Sequence, residues 1–180
     1  MNRAKQIYLA IIILCLIIIG FSTYYSLGGF DPVEVYVMEG EKERTVIGKE
    51  YIEGIRKSKL QSRVEEAKTV IDSGQLKGKL TVVYFKNDAI GADSIHYFVG
   101  ASVDEIKDVL RLPAGYSYKE FTTDKVFKVF ITQHWLVGPD PQEMDEIIEI
   151  KAIEEGEVLQ PLSFDLYYSD GSWSTERWAR

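Results

Sequence analysis

The chain has 180 residues, 28 acidic and 21 basic, which gives a formal net charge of −7. That length suits one domain and is short for two. One cysteine (Cys15) and two histidines exclude a disulfide framework and a Cys–His metal site, and the acidic balance argues against a nucleic-acid partner.

From Ile7 to Phe21, fourteen of fifteen residues are apolar, the exception being Gly20, and no charge occurs from Gln6 to Phe30. Hydrophobicity on every face suits lipid rather than a half-buried helix. The apolar run is shorter than the roughly 20 residues a span needs. Gly20 to Tyr25 supply the difference and place Tyr24 and Tyr25 at the far interface. A basic start (Arg3, Lys5), a short apolar core and a weak cleavage site at Gly20-Phe21-Ser22 also fit a cleaved signal peptide; the uncleaved anchor is the favoured reading. Leu14 before Cys15 argues against lipidation. After Arg3 and Lys5 no basic residue occurs until Lys42, whereas Asp31 and Glu34 come first. The positive-inside rule therefore predicts a single-pass membrane protein with its domain outside the cytoplasm.

The expected organisation is an anchor over 1–30, a linker over 31–44 and one domain over 45–180. Residues 33–38 alternate and read as strand or extended linker, 39–44 as a solvated turn, and 45–52 as a strand. Leu60, Val64, Ala67 and Ile71 form one helical face, with Gly74 placed to stop the helix. Strands are expected at 79–86 and 94–101, joined by a loop at 87–93, then a short helix at 102–110 broken by Leu112-Pro113-Ala114-Gly115. A strand at 126–135 leads to Asp140-Pro141-Gln142-Glu143, a capping box with proline at the first helical position. That helix should run to about Glu155 and end at Gly156. Met144, Ile147 and Ile148 should face inward, with Ile150 and Ile153 widening the stripe. A last hairpin joins 162–168 to a strand opening at Trp173 through Asp170-Gly171. The order predicts an α+β fold of duplicated βαββ units after one transmembrane helix.

Four features occur in a telling order: a strand ending Tyr97-Phe98-Val99-Gly100, the Leu112–Gly115 break, a strand entering a capped helix, and Phe164-Asp165-Leu166-Tyr167. From Thr45 to Trp178 they resemble the GyrI-like effector-binding domain, found in a gyrase-inhibitory protein and behind the DNA-binding domains of MerR- and AraC-type regulators. An anchor joined directly to such a domain is similar to a testis-expressed reticulophagy receptor. The chain shows neither that receptor's long acidic tail nor the regulators' helix-turn-helix, so neither role is expected to carry over. Where the family has a glutamate in its penultimate strand, Asp165 stands here.

The resemblance implies a ligand groove between the two repeats, formed by Asp165, Tyr167, Tyr84, Tyr97 and Trp135. Alternation gives Leu162, Phe164, Leu166 and Tyr168 one face, expected to pack on the helices, and Ser163, Asp165 and Tyr167 the other. Without the resemblance Asp165 reads as a solvated strand residue. His134 and His96 read as structural or surface residues, and the acids of the second helix as a solvated face. No catalytic residue, cofactor or metal is expected. The expected partners are the bilayer, through Ile7 to Tyr25, and a small apolar or cationic ligand. A membrane-tethered adaptor for a protein partner is the alternative, and a weak hydrolase of small cyclopropanoid or ester compounds a third reading.

Overall fold

The computed structural model describes residues 3–54, 57–86, 91, 93–103, 112–131, 133 and 137–180. Among the described residues the chain runs α1 (Arg3–Ser26), β1 (Val35–Gly54), α2 (Lys57–Asp72), β2 (Lys79–Phe85), β3 (Ser94–Val103), β4 (Ser117–Ile131), α3 (Pro141–Glu154), β5 (Leu159–Tyr167) and β6 (Trp173–Ala179). The fold is mixed α+β. Its six strands pair antiparallel throughout and close into a barrel in the order β1-β3-β2-β5-β6-β4.

In α1, residues Ile7–Ser26 are long and apolar enough to cross a membrane and none of that window is buried in the rest of the chain. The helix ends where Gly28 and Gly29 donate to the carbonyls of Tyr25 and Tyr24. Phe30 then folds back on the rings of Phe21, Tyr24 and Tyr25.

The two other described helices form where periodicity and caps require them. Leu60, Val64, Ala67 and Ile71 of α2 all join apolar clusters on the sheet. In α3 the Asp140 side chain accepts from the backbone N–H groups of Gln142 and Glu143, and Pro141 opens the helix. Gly74 and Gly156 follow the two helices at φ +73°, the left-handed region that favours glycine. Met144 and Ile148 are buried, but Ile150 and Ile153 are 60% and 70% exposed and do not widen the stripe. Two and five residues beyond Ile148, they fall on the helix's far side.

Four expectations change. Residues 39–44 are not a turn: β1 continues through them and pairs with β4, absorbing the irregularity as a bulge between Glu39 and Lys42. Residues 35–44, expected in a linker, thus belong to the barrel. Next, β4 begins at Ser117 rather than Val126, because β1 is long enough to pair with it from Ser117 to Val129. Ser102 and Val103 belong to β3; the rest of the expected helix at 102–110, like most of the loop at 87–93, lies outside the described residues.

The fourth change concerns which face is which. Val46, Val83, Phe98, Val126, Leu162, Phe164, Leu166 and Trp178 form one cluster with contributions from all six strands and no helix. This is the barrel interior. The outer faces carry separate clusters, under α3 with Met144, Ile148 and Ala152, and under α2 with Ala67. Leu162, Phe164 and Leu166 therefore fill the barrel instead of packing on helices. A narrow six-stranded barrel has room only for side chains, and apolar ones exclude water from it.

Gly100 explains one of the motifs. It is the register partner of Gly48, and a Cβ there would collide with the Ile47 carbonyl and the Gly48 backbone. Since backbone supplies the clash, no rotamer change relieves it. Gly100→Ala should cost at least about 2 kcal/mol of stability in a denaturant titration. A loss below about 0.5 kcal/mol would show that β1 and β3 are not this close.

Candidate functional site

Strand register brings four of the five candidate residues onto one outer face. Val82 faces Asp165 across β2 and β5, Tyr84 faces Ser163, and Tyr84 faces Tyr97 across β2 and β3. Alternation then aims Tyr84, Tyr97, Asp165 and Tyr167 the same way. The three tyrosines pack with Leu60, Val64 and Ala67 of α2. On the other flank Arg177, the register partner of Ser163, reaches Asp145 of α3. Asp165 thus lies on the sheet between the two helices. Trp135, the fifth candidate, and His134 lie outside the described residues.

Asp165 is not a solvated strand residue. It is 7% exposed, and Thr175 Oγ1 donates to its Oδ1 at 2.7 Å. The nearby cations are committed elsewhere: Lys86 at 2.5 Å and Arg177 both pair with Asp145. Among the described residues Asp165 makes no salt bridge of its own. Burial pushes its carboxyl from 3.8 up to about 6, a rise that Thr175 and Tyr84 restrain and the charge of Asp145 reinforces. Asp145 itself is pushed up by burial, but Lys86 and Arg177 outweigh this and hold it below the usual range.

The tyrosines divide into two kinds. Tyr84 and Tyr167 flank the carboxylate, and burial followed by the charge of Asp165 raises both phenols well above their ordinary value. The Tyr97 hydroxyl instead points toward Glu53 Oε2 at 3.3 Å, and burial followed by Glu53 raises it to about 12. Its ring stacks on Tyr51 with 5.4 Å between centroids, and Arg63 lies over Tyr51 while bonding Glu53 at 2.9 Å. Tyr97 is therefore part of the aromatic wall, with its polar end turned away from Asp165.

A cavity of about 570 Å³ opens beside this face, between α2 and the β5–β6 turn. Val64, Ile71, Leu80 and Tyr167 give it apolar and aromatic walls, with Lys68 and Lys79 also lining it. It reaches Tyr167 but not Asp165, Tyr84 or Tyr97, so Tyr167 is the candidate residue it shares with the buried carboxylate's surroundings.

Two ionic clusters escaped the sequence reading. One is Asp145 with Lys86 and Arg177. Arg177 also donates through Nε to the Leu162 carbonyl at 3.0 Å, fixing α3 to β5. The other is inside the barrel. Glu176, 1% exposed, takes Arg44 at 2.7 Å and Lys128 at 3.1 Å. Burial pushes its carboxyl up, and the two cations more than reverse this. Arg44 also lies over the rings of Phe164 and Trp178. His96, half-buried, meets Glu50 at 2.7 Å. Among the described residues no group of three or more His, Cys, Asp or Glu is placed to hold a metal ion.

No family model matches the sequence, and no curated protein matches it. Solved structures do. The EcmrR chain, in a complex with DNA, superposes with a TM-score of 0.54 at 12% identity, covering 97% of this chain and 68% of that one. A hydrolase from Listeria innocua superposes with a TM-score of 0.50 at 10% identity, covering 82% and 92%. SAV2435, solved with tetraphenylphosphonium, gives a TM-score of 0.47 at 12% identity, covering 82% and 92%. The likeness supports a GyrI-like fold. At such identities it speaks to the fold alone.

Proposed function

We propose that the chain is a membrane-anchored small-molecule-binding module whose ligand is a lipophilic cation. One observation carries the reading: a deeply buried carboxylate, Asp165, with no basic partner among the described residues, flanked by tyrosine rings between two helices. Burying a charge without a counter-charge costs free energy, and groups perturbed in this way cluster at functional sites. A bound cation would supply the missing partner, and the ring faces of Tyr84 and Tyr167 would add cation–π attraction. The neighbouring cavity shares Tyr167 with this site, which supports entry from that side. The like order of pairing in β1-α2-β2-β3 and β4-α3-β5-β6 supports reading the domain as two βαββ units with the site between them.

The test uses two ions of the same size and shape and opposite charge. Tetraphenylphosphonium should bind and raise the melting temperature, whereas tetraphenylborate should not. Equal responses to both, or none to either, would contradict a cation site.

The anchor reading rests on the apolar, unburied helix α1, and the charge bias around it supports an extracytoplasmic domain. Deleting residues 1–30 should leave a soluble, folded monomer, because β1 starts at Val35 and that deletion removes the long apolar run. An insoluble or molten product would move the domain boundary. The full chain should resist carbonate extraction from membranes; release would favour a cleaved signal peptide.

A further inference from the structure

A second cavity, of about 730 Å³, lies at the foot of α1, away from Asp165. Leu27, Gly28 and Asp31 form one side, Phe130 near the end of β4 and Gln133 beyond it another, and Asp170 to Trp173 the third. Gln133 sets the chemistry. Its Nε2 donates to the Asp31 carbonyl at 3.2 Å, which fixes the amide's orientation. The opposite atom, Oε1, is then buried and has no partner among the described residues. A buried acceptor without a donor is costly, so the position calls for an N–H or O–H group. Among the described residues the lining holds two carboxylates, Asp31 and Asp170, and neither Lys nor Arg. Asp170 Oδ1 is taken by the N–H and hydroxyl of Ser172, which leaves Oδ2 for another group. Phe130 and Trp173 add two aromatic rings, which attract cations.

We infer that this cavity binds a primary ammonium group. Such a group supplies N–H donors to Gln133 Oε1 and the carboxylates together with the positive charge that carboxylates and rings attract. A quaternary ammonium has the charge but no N–H, and a neutral alcohol the reverse. The cavity sits where a 20-residue apolar helix leaves off, at the depth where lipid headgroups lie if that helix spans. The ammonium could come from phosphatidylethanolamine or from a free amine. Only the lipid source rests on α1 being a span, and neither source depends on the Asp165 site.

The test uses the full chain. For the lipid arm it is placed in phosphatidylcholine nanodiscs containing phosphatidylethanolamine, and the lipid retained after extraction is counted by native mass spectrometry. For the free-amine arm, the melting temperature of the detergent-solubilised chain is followed with ethanolamine and with choline. Phosphatidylethanolamine should be retained about tenfold over phosphatidylcholine if the source is lipid, or ethanolamine alone should stabilise if it is soluble. Asp170→Asn and, separately, Gln133→Met should each reduce that preference severalfold; both lie outside the strands, and folding is checked by an unchanged circular-dichroism spectrum and an unchanged ligand-free melting temperature. Equal retention of both lipids with no ethanolamine effect, or a preference untouched by both substitutions, would overturn the assignment.

Discussion

Asp165→Asn should make the protein more stable at pH 8, not less. The carboxyl's folded value, about 6, exceeds its ordinary 3.8. Between those values the folded state holds a proton that the unfolded state has released. Stability from this group is therefore full below about pH 4 and is lost as pH rises through 6. The difference corresponds to about 3 kcal/mol above pH 6. Asparagine carries no charge to desolvate and can still accept from Thr175 through its amide oxygen. We expect a gain of about 2 kcal/mol at pH 8, or roughly 5 °C for a domain of this size. The gain should vanish near pH 4, so the difference between the two proteins' stability-against-pH curves isolates this one group. A substantial loss of stability at pH 8 would mean the carboxylate has a cationic partner that supports the fold. A solvated strand residue would change stability little on this substitution; the near-complete burial of Asp165 is what gives it an effect.

Glu176→Gln should do the opposite, and strongly. Glu176 sits inside the barrel between Arg44 and Lys128. Removing its charge leaves two half-buried cations facing each other among the rings of Phe164, Trp178 and Tyr168. Breaking a buried ion cluster by deleting one partner costs about 3–5 kcal/mol. Arg44 and Lys128 keep some solvent contact, so the lower figure, about 3 kcal/mol in a urea titration, is expected. The double substitution Glu176→Gln with Lys128→Met should recover part of that loss by removing one uncompensated cation. A single-variant loss under about 1 kcal/mol would show that water reaches the cluster freely.

These two acids show what was legible in the sequence. The helices were, because α2 carries a clean four–three–four apolar spacing and α3 opens with Asp140 and Pro141 and closes with Gly156. The succession of strands and long helices along the described chain was also legible, as was the motif order that resembles the GyrI-like domain. The faces were not. In an open sheet with one wet side, alternation separates core from solvent. Here one side of the strands fills the barrel and the other lies under helices, so Leu162 through Leu166 are all buried and polarity no longer marks the surface. That is why Asp165 looked solvated and why Leu166 was assigned to the helices. The bulge after Glu39 hid Arg44: six consecutive charged or glycine residues read as a turn, yet the strand continues and carries Arg44 to Glu176, 132 residues later. Only long-range pairing shows such a contact. Ser174, Thr175, Glu176 and Arg177, all buried, fall under the same limit.

The site's tyrosines were partly legible. Tyr84, Tyr97 and Tyr167 were expected beside Asp165, and register brings all three onto its face. The sequence could not tell that Tyr97 turns its hydroxyl to Glu53, or that Asp145, Lys86 and Arg177 would use up the neighbouring charges. Among the described residues that exhaustion leaves Asp165 without a counter-charge, and the cation reading rests on this.

The most direct measurement is a calorimetric titration of tetraphenylphosphonium into the protein and its Asp165→Asn variant at pH 8. Loss of the carboxylate should weaken binding about tenfold, roughly 1.4 kcal/mol, while the variant stays folded and is at least as stable. Lowering the pH to 5 should weaken binding to the parent protein and leave the variant unchanged, since only the parent has a carboxylate to protonate. Equal affinity of the two folded proteins at pH 8 would contradict the claim that Asp165 is the ligand's counter-charge.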